Sequence, residues 1–274
     1  MFIEQVEEQL RKMSEADKDR WILAQAKLLD ESERQGFLLA LSGQKKITYM
    51  PDDSEIQAFL EKVEKGEIYV EYEAHYYEFD DDGRFMDDWL SWHNDPCGAM
   101  DFLDKVFRGC HDLLLLNEYK AAADILDKVC RMRFQVVESP DSDDFDNDSP
   151  FTIEDMIQEN MLSVNSSDVG EDWVTAFVRK KDPWDSMELA AAMADIFQEP
   201  VCKSINPSML AGEKLPDQFF VHMRDILDQE IREAEKAVKE GVSDAGFSRG
   251  EMVLEKKIER LTHLKSDIES KCMG

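Results

Sequence analysis

One stretch of the chain, from Phe102 to Phe134, constrains the fold more than any other. Its apolar residues recur at the spacing that places them on one face of a helix. The pattern is interrupted at Asn117, so it predicts two amphipathic helices, one from Gly98 to Leu116 and one from Glu118 to Val136. Adjacent helices that each have an apolar face bury these faces against each other when their connection is short. The stretch therefore predicts an antiparallel helical hairpin.

The same periodicity extends along most of the chain and predicts an all-α fold. It ends in two long amphipathic segments, Asp217 to Lys239 and Glu251 to Glu269, which we expect to form a hairpin that packs on the preceding helices. The predicted architecture is antiparallel helical hairpins in a solenoid-like or irregular array. An acidic tract over residues 138–150 predicts a boundary between an N-terminal region, residues 1–137, and a C-terminal region, residues 151–274.

The segment over residues 68–79 does not fit the helical pattern. Here β-branched and aromatic residues alternate with polar ones, which is the period of a strand. No second strand pattern is evident nearby, so we expect at most a minor β element, either an extended segment or a small hairpin. After the turn from Asp80 to Gly83, a helix is predicted from Phe85 to Trp92.

The charge balance restricts the classes of partner. The chain has 61 acidic against 32 basic side chains, and its formal net charge is −29. A field of this sign repels nucleic-acid phosphates and anionic lipids, so neither is an expected partner, whereas a basic protein is favoured. High solubility alone is an equally good explanation of the acid excess. The five cysteines form no CxxC pair and no apolar run approaches the length of a membrane span, so we expect a cytoplasmic protein.

Within the predicted hairpin, the residues around the turn resemble the tetratricopeptide repeat. Asn117 stands at the turn, where that family has a small residue or glycine. Tyr119 is the aromatic residue two positions later, and Ala122 is the small residue that lets the helices approach. The first helix departs from the family pattern at the positions of a usual tryptophan, leucine and glycine, which here are Val106, Gly109 and Cys110. The resemblance covers one hairpin and implies a stacked helical array that acts as an interaction scaffold.

The acidic tract contains a pattern related to calcium-binding loops. Asp144, Asp146, Asp148 and Asp155 have the spacing at which an EF-hand surrounds its cation with oxygen atoms. Ser149 stands where that loop needs a glycine, and Asp155 is shorter than the usual bidentate glutamate. A solvated acidic loop is therefore the favoured interpretation, and calcium binding is the alternative.

A second set of residues, His93, His111, Asp112 and Asp124, resembles the ligands of HD phosphohydrolases. In that family, histidines and aspartates on several helices bind metal ions. The spacings here are not distinctive, so the favoured interpretation makes His111 a helix residue whose ring is partly packed. The cysteines near these histidines lack the close pairing that zinc sites show.

Aromatic side chains are dense between residues 76 and 92. The group comprises Tyr76, Tyr77, Phe85, Trp89 and Trp92. We expect them to form part of the core, because large aromatic side chains are most often buried. The alternative is a recognition pocket in which the rings contact a basic peptide through cation–π interactions.

The chain has none of the HExxH, GxSxG, GxGxxG or Walker-type catalytic and phosphate-binding patterns. We therefore assign no catalytic, cofactor-binding or metal-binding residue. The predicted function is a non-catalytic cytoplasmic scaffold for protein–protein interaction, of an acidic helical-repeat type, whose partner is another protein. The alternative is a metal-dependent helical hydrolase that uses the histidines and aspartates named above. The sequence leaves the identity of the partner and the oligomeric state open.

Overall fold

The computed structural model describes residues 12–28, 49–79, 82–142, 150–180, 184–241 and 249–271. Most of these residues are helical, which confirms the predicted helical character. The helices are α1 Glu15–Leu28, α2 Asp53–Glu64, α3 Ala99–Leu115, α4 Tyr119–Cys130, α5 Ile153–Gln158, α6 Ser166–Arg179, α7 Ser186–Gln198, α8 Phe219–Gly241 and α9 Arg249–Lys271. Two short 3-10 helices between α7 and α8 are Pro200–Cys202 and Pro207–Gly212. The strands are β1 Val70–Phe79, β2 Phe85–Asn94, β3 Arg133–Phe134, β4 Val136–Glu138 and β5 Phe151–Thr152.

Local sequence signals explain where several helices begin. Asp52 precedes α2, and its carboxylate accepts a hydrogen bond from the Ser54 amide at 3.0 Å. Asp185 and Glu188 form a reciprocal capping box at the start of α7. These side chains stabilise the helices because they satisfy backbone N–H groups that have no partner within the first turn.

The helical hairpin predicted from the central stretch is present as α3 and α4. Asn117 lies in the turn with a φ of 62°, the left-handed conformation that asparagine tolerates. Ala122 and Ala123 are buried, and their small side chains allow the two helices to pack closely. Helix α4 ends at Cys130, earlier than predicted, because the following residues form β3 and β4 instead of a further helical turn.

One continuous apolar core connects helices α2 to α9 and the base of the sheet. Its largest fully buried side chain is Trp173 on α6. Helix α6 packs against α4 and α3. Phe59 on α2 stacks on Phe102 of α3 with 4.5 Å between the ring centroids. Each buried side chain of this size contributes about 2 kcal/mol through its removal from water, so this core supplies the main stabilising free energy.

The chain also contains a small three-stranded sheet. Strands β1 and β2 pair antiparallel, with Tyr72 opposite His93, and β4 joins the other edge of β1 in parallel. Strands β3 and β5 form a separate antiparallel pair. The prediction of a helix from Phe85 to Trp92 is wrong, because this segment forms β2. Hydrogen bonds and side-chain contacts across the hairpin with β1 outweigh the local helical pattern.

The predicted C-terminal hairpin is present as α8 and α9. Leu261, Leu264 and Ile268 form the buried stripe of α9, which packs against α8 and the second 3-10 helix. Helix α8 in turn packs against α7, so the hairpin docks on the preceding helices as expected. Although α8 and α9 have 23 residues each, no described helix combines the length and apolar content needed to cross a membrane.

Residues before and after the acidic tract are in contact with each other. Helix α6 packs against α4, and Phe151 of β5 pairs with Phe134 of β3. Buried side chains from both regions belong to the same apolar cluster. The division of the chain at residues 138–150 stays a prediction, and residues 143–149 of the tract lie outside the described residues.

Candidate functional site

The candidate functional site is a groove between helix α4 and the segment that leads into α2. Its volume is about 680 Å³. Its lining combines apolar groups with carboxylates, and comprises Met50, Pro51, Asp52, Asp53, Ala121, Asp124, Ile125, Asp127, Lys128 and Lys180. We call this feature the acidic groove. Such a lining suits a ligand that has both apolar and positively charged parts.

Gly109 on α3 allows one wall of the acidic groove to lie close to the helical hairpin. A Cβ atom at this position would lie 2.6 Å from the Pro51 ring and 3.2 Å from the Tyr49 ring. Glycine thus provides the space in which the chain before α2 passes over α3. The Tyr49 hydroxyl donates a hydrogen bond to Glu55 at 2.7 Å and ties this segment to α2. Burial and this carboxylate raise the pKa of Tyr49, so the hydroxyl keeps its proton.

Negative charge in the acidic groove exceeds positive charge, since four carboxylates line it against two ammonium groups. The ammonium of Lys128 binds the carboxylate of Asp53. The ammonium of Lys180 lies 4.0 Å from the centre of the Phe177 ring. Asp124 is exposed and has no ion-pair or hydrogen-bond partner in the described residues. A third basic side chain, that of Arg131 outside the lining, pairs with Asp127 at 3.0 Å. The negative charge that has no ion-pair partner in the described residues is therefore that of Asp52 and Asp124.

The structure does not bring together the four residues of the metal site considered above. His93 lies on β2, His111 and Asp112 lie on α3, and Asp124 lies on α4 in the acidic groove. Within the described ranges, no three histidine, cysteine or carboxylate side chains are placed to hold one metal ion. The hydrolase alternative has no ligand cluster to support it in this part of the chain.

His93 is enclosed by aromatic rings and by one carboxylate. Its ring centroid lies 4.3 Å from that of Phe151 and 5.2 Å from that of Tyr72. Neither ring nitrogen has a hydrogen-bond partner in the described residues, and the Glu159 carboxylate lies 3.8 Å from Nδ1. Burial lowers the pKa of His93, although Glu159 and Asp155 oppose this shift. The geometry therefore makes His93 a neutral packing side chain.

His111 connects α3 to α6 through a contact that the sequence did not predict. Its Nδ1 lies 2.9 Å from Asp172, and its side chain is 56% exposed. The ring is thus a half-exposed group on the surface of α3. Burial raises the pKa of Asp172, whereas the nearby histidine lowers it. Burial also raises the pKa of Asp112. His111 and Asp172 are 61 positions apart along the chain, so no local pattern pointed to this pair.

Of the four aspartates in the calcium-loop pattern, Asp144, Asp146 and Asp148 lie outside the described residues. The fourth, Asp155, lies in the first turn of α5. Its carboxylate accepts hydrogen bonds from the amide and the hydroxyl of Thr152, at 2.8 Å and 2.6 Å. These contacts complete a capping box, which gives Asp155 a structural role at the helix start.

Of the aromatic side chains between residues 76 and 92, Tyr76 and Trp92 lie on opposite faces of the sheet. Tyr76 and Trp92 are 44% and 36% exposed, so the prediction that they belong to the core is wrong. Trp92 lies opposite Glu73 and therefore on the same face as Glu73. Tyr76 is three positions after Glu73 along β1, so its side chain points to the other face, because successive residues of a strand alternate. The remaining side chains of the group lie outside the described part of the structure, namely Tyr77, Phe85 and Trp89.

Comparison with family models, with curated proteins and with solved structures finds no significant match to this chain. The resemblance of the α3–α4 hairpin to a tetratricopeptide repeat therefore stays a prediction. Any functional conclusion has to come from the geometry and charge of the chain itself. On these grounds, the acidic groove is the best candidate for a functional site.

Proposed function

We propose that the chain is a non-catalytic scaffold for protein–protein interaction that binds a basic segment of its partner in the acidic groove. The position of Asp124 carries this proposal. Its exposed carboxylate lies in the groove with the apolar side chains of Pro51 and Ile125, and it has no partner in the described residues. A lysine or arginine of a bound segment supplies the missing positive charge, and an adjacent apolar side chain covers the apolar part of the groove.

The charge of the whole chain supports the same class of partner. A formal net charge of −29 attracts basic proteins before contact and accelerates their encounter. Salt weakens this long-range attraction much more than it weakens apolar contacts. Met50 is 41% exposed in the lining of the groove, and its flexible thioether adapts to different apolar partners. We therefore expect an amphipathic basic segment to bind better than a purely charged one.

We infer a solenoid-like array of acidic helical-repeat type, in which the α3–α4 hairpin is a tetratricopeptide-like unit that presents one wall of the groove. The close packing of the two helices at Ala122 supports this inference. We also propose the cytoplasm as the compartment. This is supported by Cys97, Cys110, Cys130 and Cys202, which are free thiols.

A labelled peptide that combines lysines with leucines tests the proposed function. Its binding to the wild-type chain and to the Asp124→Lys variant is measured by fluorescence anisotropy at several salt concentrations. Asp124 is exposed on the helix surface, so its replacement leaves the core intact. Reversal of its charge is expected to weaken binding roughly fivefold at low salt, with a smaller difference at high salt.

Glu235→Lys provides the matched control. Glu235 is exposed on α8, does not line the acidic groove, and has no ion-pair or hydrogen-bond partner in the described residues. The control changes the net charge by the same amount as Asp124→Lys, so binding should remain close to that of the wild type. An equal loss in both variants would show that only the overall charge matters, and it would contradict the groove as the binding site.

A further inference from the structure

A second groove lies between helix α9 and the segment that follows α7. Its volume is about 650 Å³. The groove is lined from both sides by Phe197, Cys202, Lys203, Ser204, Ile205, Asn206, Pro207, Lys256, Glu259, Arg260, His263, Leu264 and Asp267. We call it the α9 groove. No role was assigned to it by the sequence patterns, because its two walls are distant along the chain.

Arg260 holds the two walls of the α9 groove together. Its guanidinium donates hydrogen bonds to the backbone carbonyl oxygens of Phe197, Gln198 and Glu199, where α7 ends, with distances of 2.6 Å to Gln198 and 2.9 Å to Glu199. The carbonyls of Phe197 and Gln198 lie in the last turn of α7, where the helix itself provides no partner, so the arginine satisfies them. The Glu199 carbonyl also accepts a hydrogen bond from the Cys202 amide at 3.0 Å. The contacts of Arg260 fix the position of α9 against the end of α7. The apolar side chain of Leu264 is buried one turn further along α9. The hydrogen bonds of Arg260 and the burial of Leu264 therefore fix the two walls of the groove relative to each other.

Two lysines on the rim of the α9 groove form no ion pair in the part of the chain that the structure describes. Lys203 and Lys256 are exposed on opposite walls, and neither has an ion-pair or hydrogen-bond partner in the described residues. The hydroxyl of Ser204, on the same wall as Lys203, likewise has no partner there. This arrangement is unusual for a chain in which acidic side chains outnumber basic ones by 61 to 32. The field of the whole chain repels an acidic ligand, so the attraction for one comes from these local lysines alone. Two carboxylates also line the groove. That of Glu259 has no partner in the described residues, and that of Asp267 lies 3.7 Å from Nδ1 of His263.

We propose that the α9 groove binds an acidic, extended segment of a partner protein. The lysines and the Ser204 hydroxyl supply donors for carboxylates, while Leu264 and Ile205 form a buried apolar floor. The rim residues are exposed, whereas a small-molecule site buries most of the surface of its ligand. An open cleft with charged rims therefore fits a chain segment better than a small anion. This proposal is independent of the acidic groove, because the two grooves share no lining residue.

The test uses a short labelled polyglutamate peptide and the full chain, with binding measured by fluorescence anisotropy. Lys203→Ala and Lys256→Ala are each expected to weaken binding about threefold, the range for single exposed charge pairs. Glu259→Gln is expected to strengthen binding about twofold, because it removes a repulsive charge from the groove. Opposite effects of neighbouring substitutions distinguish a local site from a general loss of structure. Circular dichroism and melting curves confirm that each variant is folded.

Lys105→Ala is the matched control, since Lys105 is exposed on α3 and lines neither groove. It should leave the binding of polyglutamate unchanged. If Lys105→Ala weakens binding as much as Lys203→Ala does, or if Glu259→Gln has no effect, the α9 groove is not the site. Inorganic phosphate and sodium chloride are compared as competitors at the same ionic strength. If phosphate displaces the peptide and sodium chloride does not, the groove is a small-anion site, and the proposal of a bound segment is overturned.

Discussion

The helical hairpin α3–α4 and the β hairpin β1–β2 are stabilised in different ways. In the helical hairpin, side chains on both helices are fully buried, among them Leu103, Val106, Ala122 and Val129. In the β hairpin, Val70 and Ala74 are buried, whereas Leu90 and Trp92 are 53% and 36% exposed. The helices are held by their contact with each other and with α6, and the strands mainly by their mutual pairing.

This difference indicates where the free energy of unfolding is located. A side chain that is buried between two helices and a third element cannot be truncated without leaving a cavity. A side chain on an exposed strand face contributes much less, because it is already in contact with water. We therefore expect substitutions in α3 and α4 to destabilise the whole fold, and substitutions near the tip of the β hairpin to act only locally.

The largest effect is expected for Leu126→Ala. Leu126 on α4 is 1% exposed, so its truncation leaves a cavity that the surrounding helices cannot fill. The free energy of unfolding should fall by about 4 kcal/mol, measured by urea denaturation. A loss below about 1 kcal/mol would mean that the hairpin is not part of the cooperative core, and the contrast between the two hairpins would be lost.

An intermediate effect is expected from the titration of His93, which lies in the β hairpin but faces a buried aromatic environment. Burial lowers the pKa of His93 below that of the unfolded chain, about 6.5. The unfolded state therefore binds the proton first as the pH falls. The stability that the neutral ring provides is complete above about pH 6.5, and it is lost at up to about 1.4 kcal/mol per pH unit as the pH falls towards the folded-state pKa.

His93→Phe sharpens this measurement. Phenylalanine keeps the ring contacts with Phe151 and Tyr72, and it removes two ring nitrogens that have no hydrogen-bond partner in the described residues. At neutral pH the variant should be at least as stable as the wild type, and its free energy of unfolding should fall less on acidification. Urea denaturation at neutral pH and below about pH 6.5 measures both effects. An acid sensitivity equal to that of the wild type would assign the pH dependence to other groups.

The smallest effect is expected for Leu90→Thr on the exposed face of β2. Threonine is β-branched, a shape that strands favour, so the free energy of unfolding should change by less than about 0.5 kcal/mol. Val70→Thr is the matched comparison, because Val70 is fully buried at the base of β1. Its hydroxyl would be placed in the core and should cost about 2 kcal/mol. Similar costs for the two variants would show that Leu90 is covered in solution.

The two hairpins also differ in how much of them could be predicted. The turn at Asn117, the small residues of α4 and the apolar stripe of α9 are local patterns, and each predicted the presence of its element, although α4 ends earlier than predicted. Strand β2 could not be predicted in this way, since its conformation depends on pairing with β1. The same applies to the acidic groove. The sequence pointed to Asp124 as a possible metal ligand. Its position in one groove with Pro51 depends on the close approach of the segment before α2 to Gly109, which is a long-range contact.

By itself, the sequence determined the helical character of the chain, the two helical hairpins and the excess of negative charge. These properties follow from residues close together along the chain, or from composition, and helix formation depends mainly on such short-range patterns. Only the tertiary structure decided the strand pairing, the partner of His111 and the walls of both grooves. Each of these joins residues far apart along the chain, such as Arg260 and the carbonyl groups at the end of α7. Long-range contacts of this kind are set by the packing of the whole core, because many side chains must fit together at once.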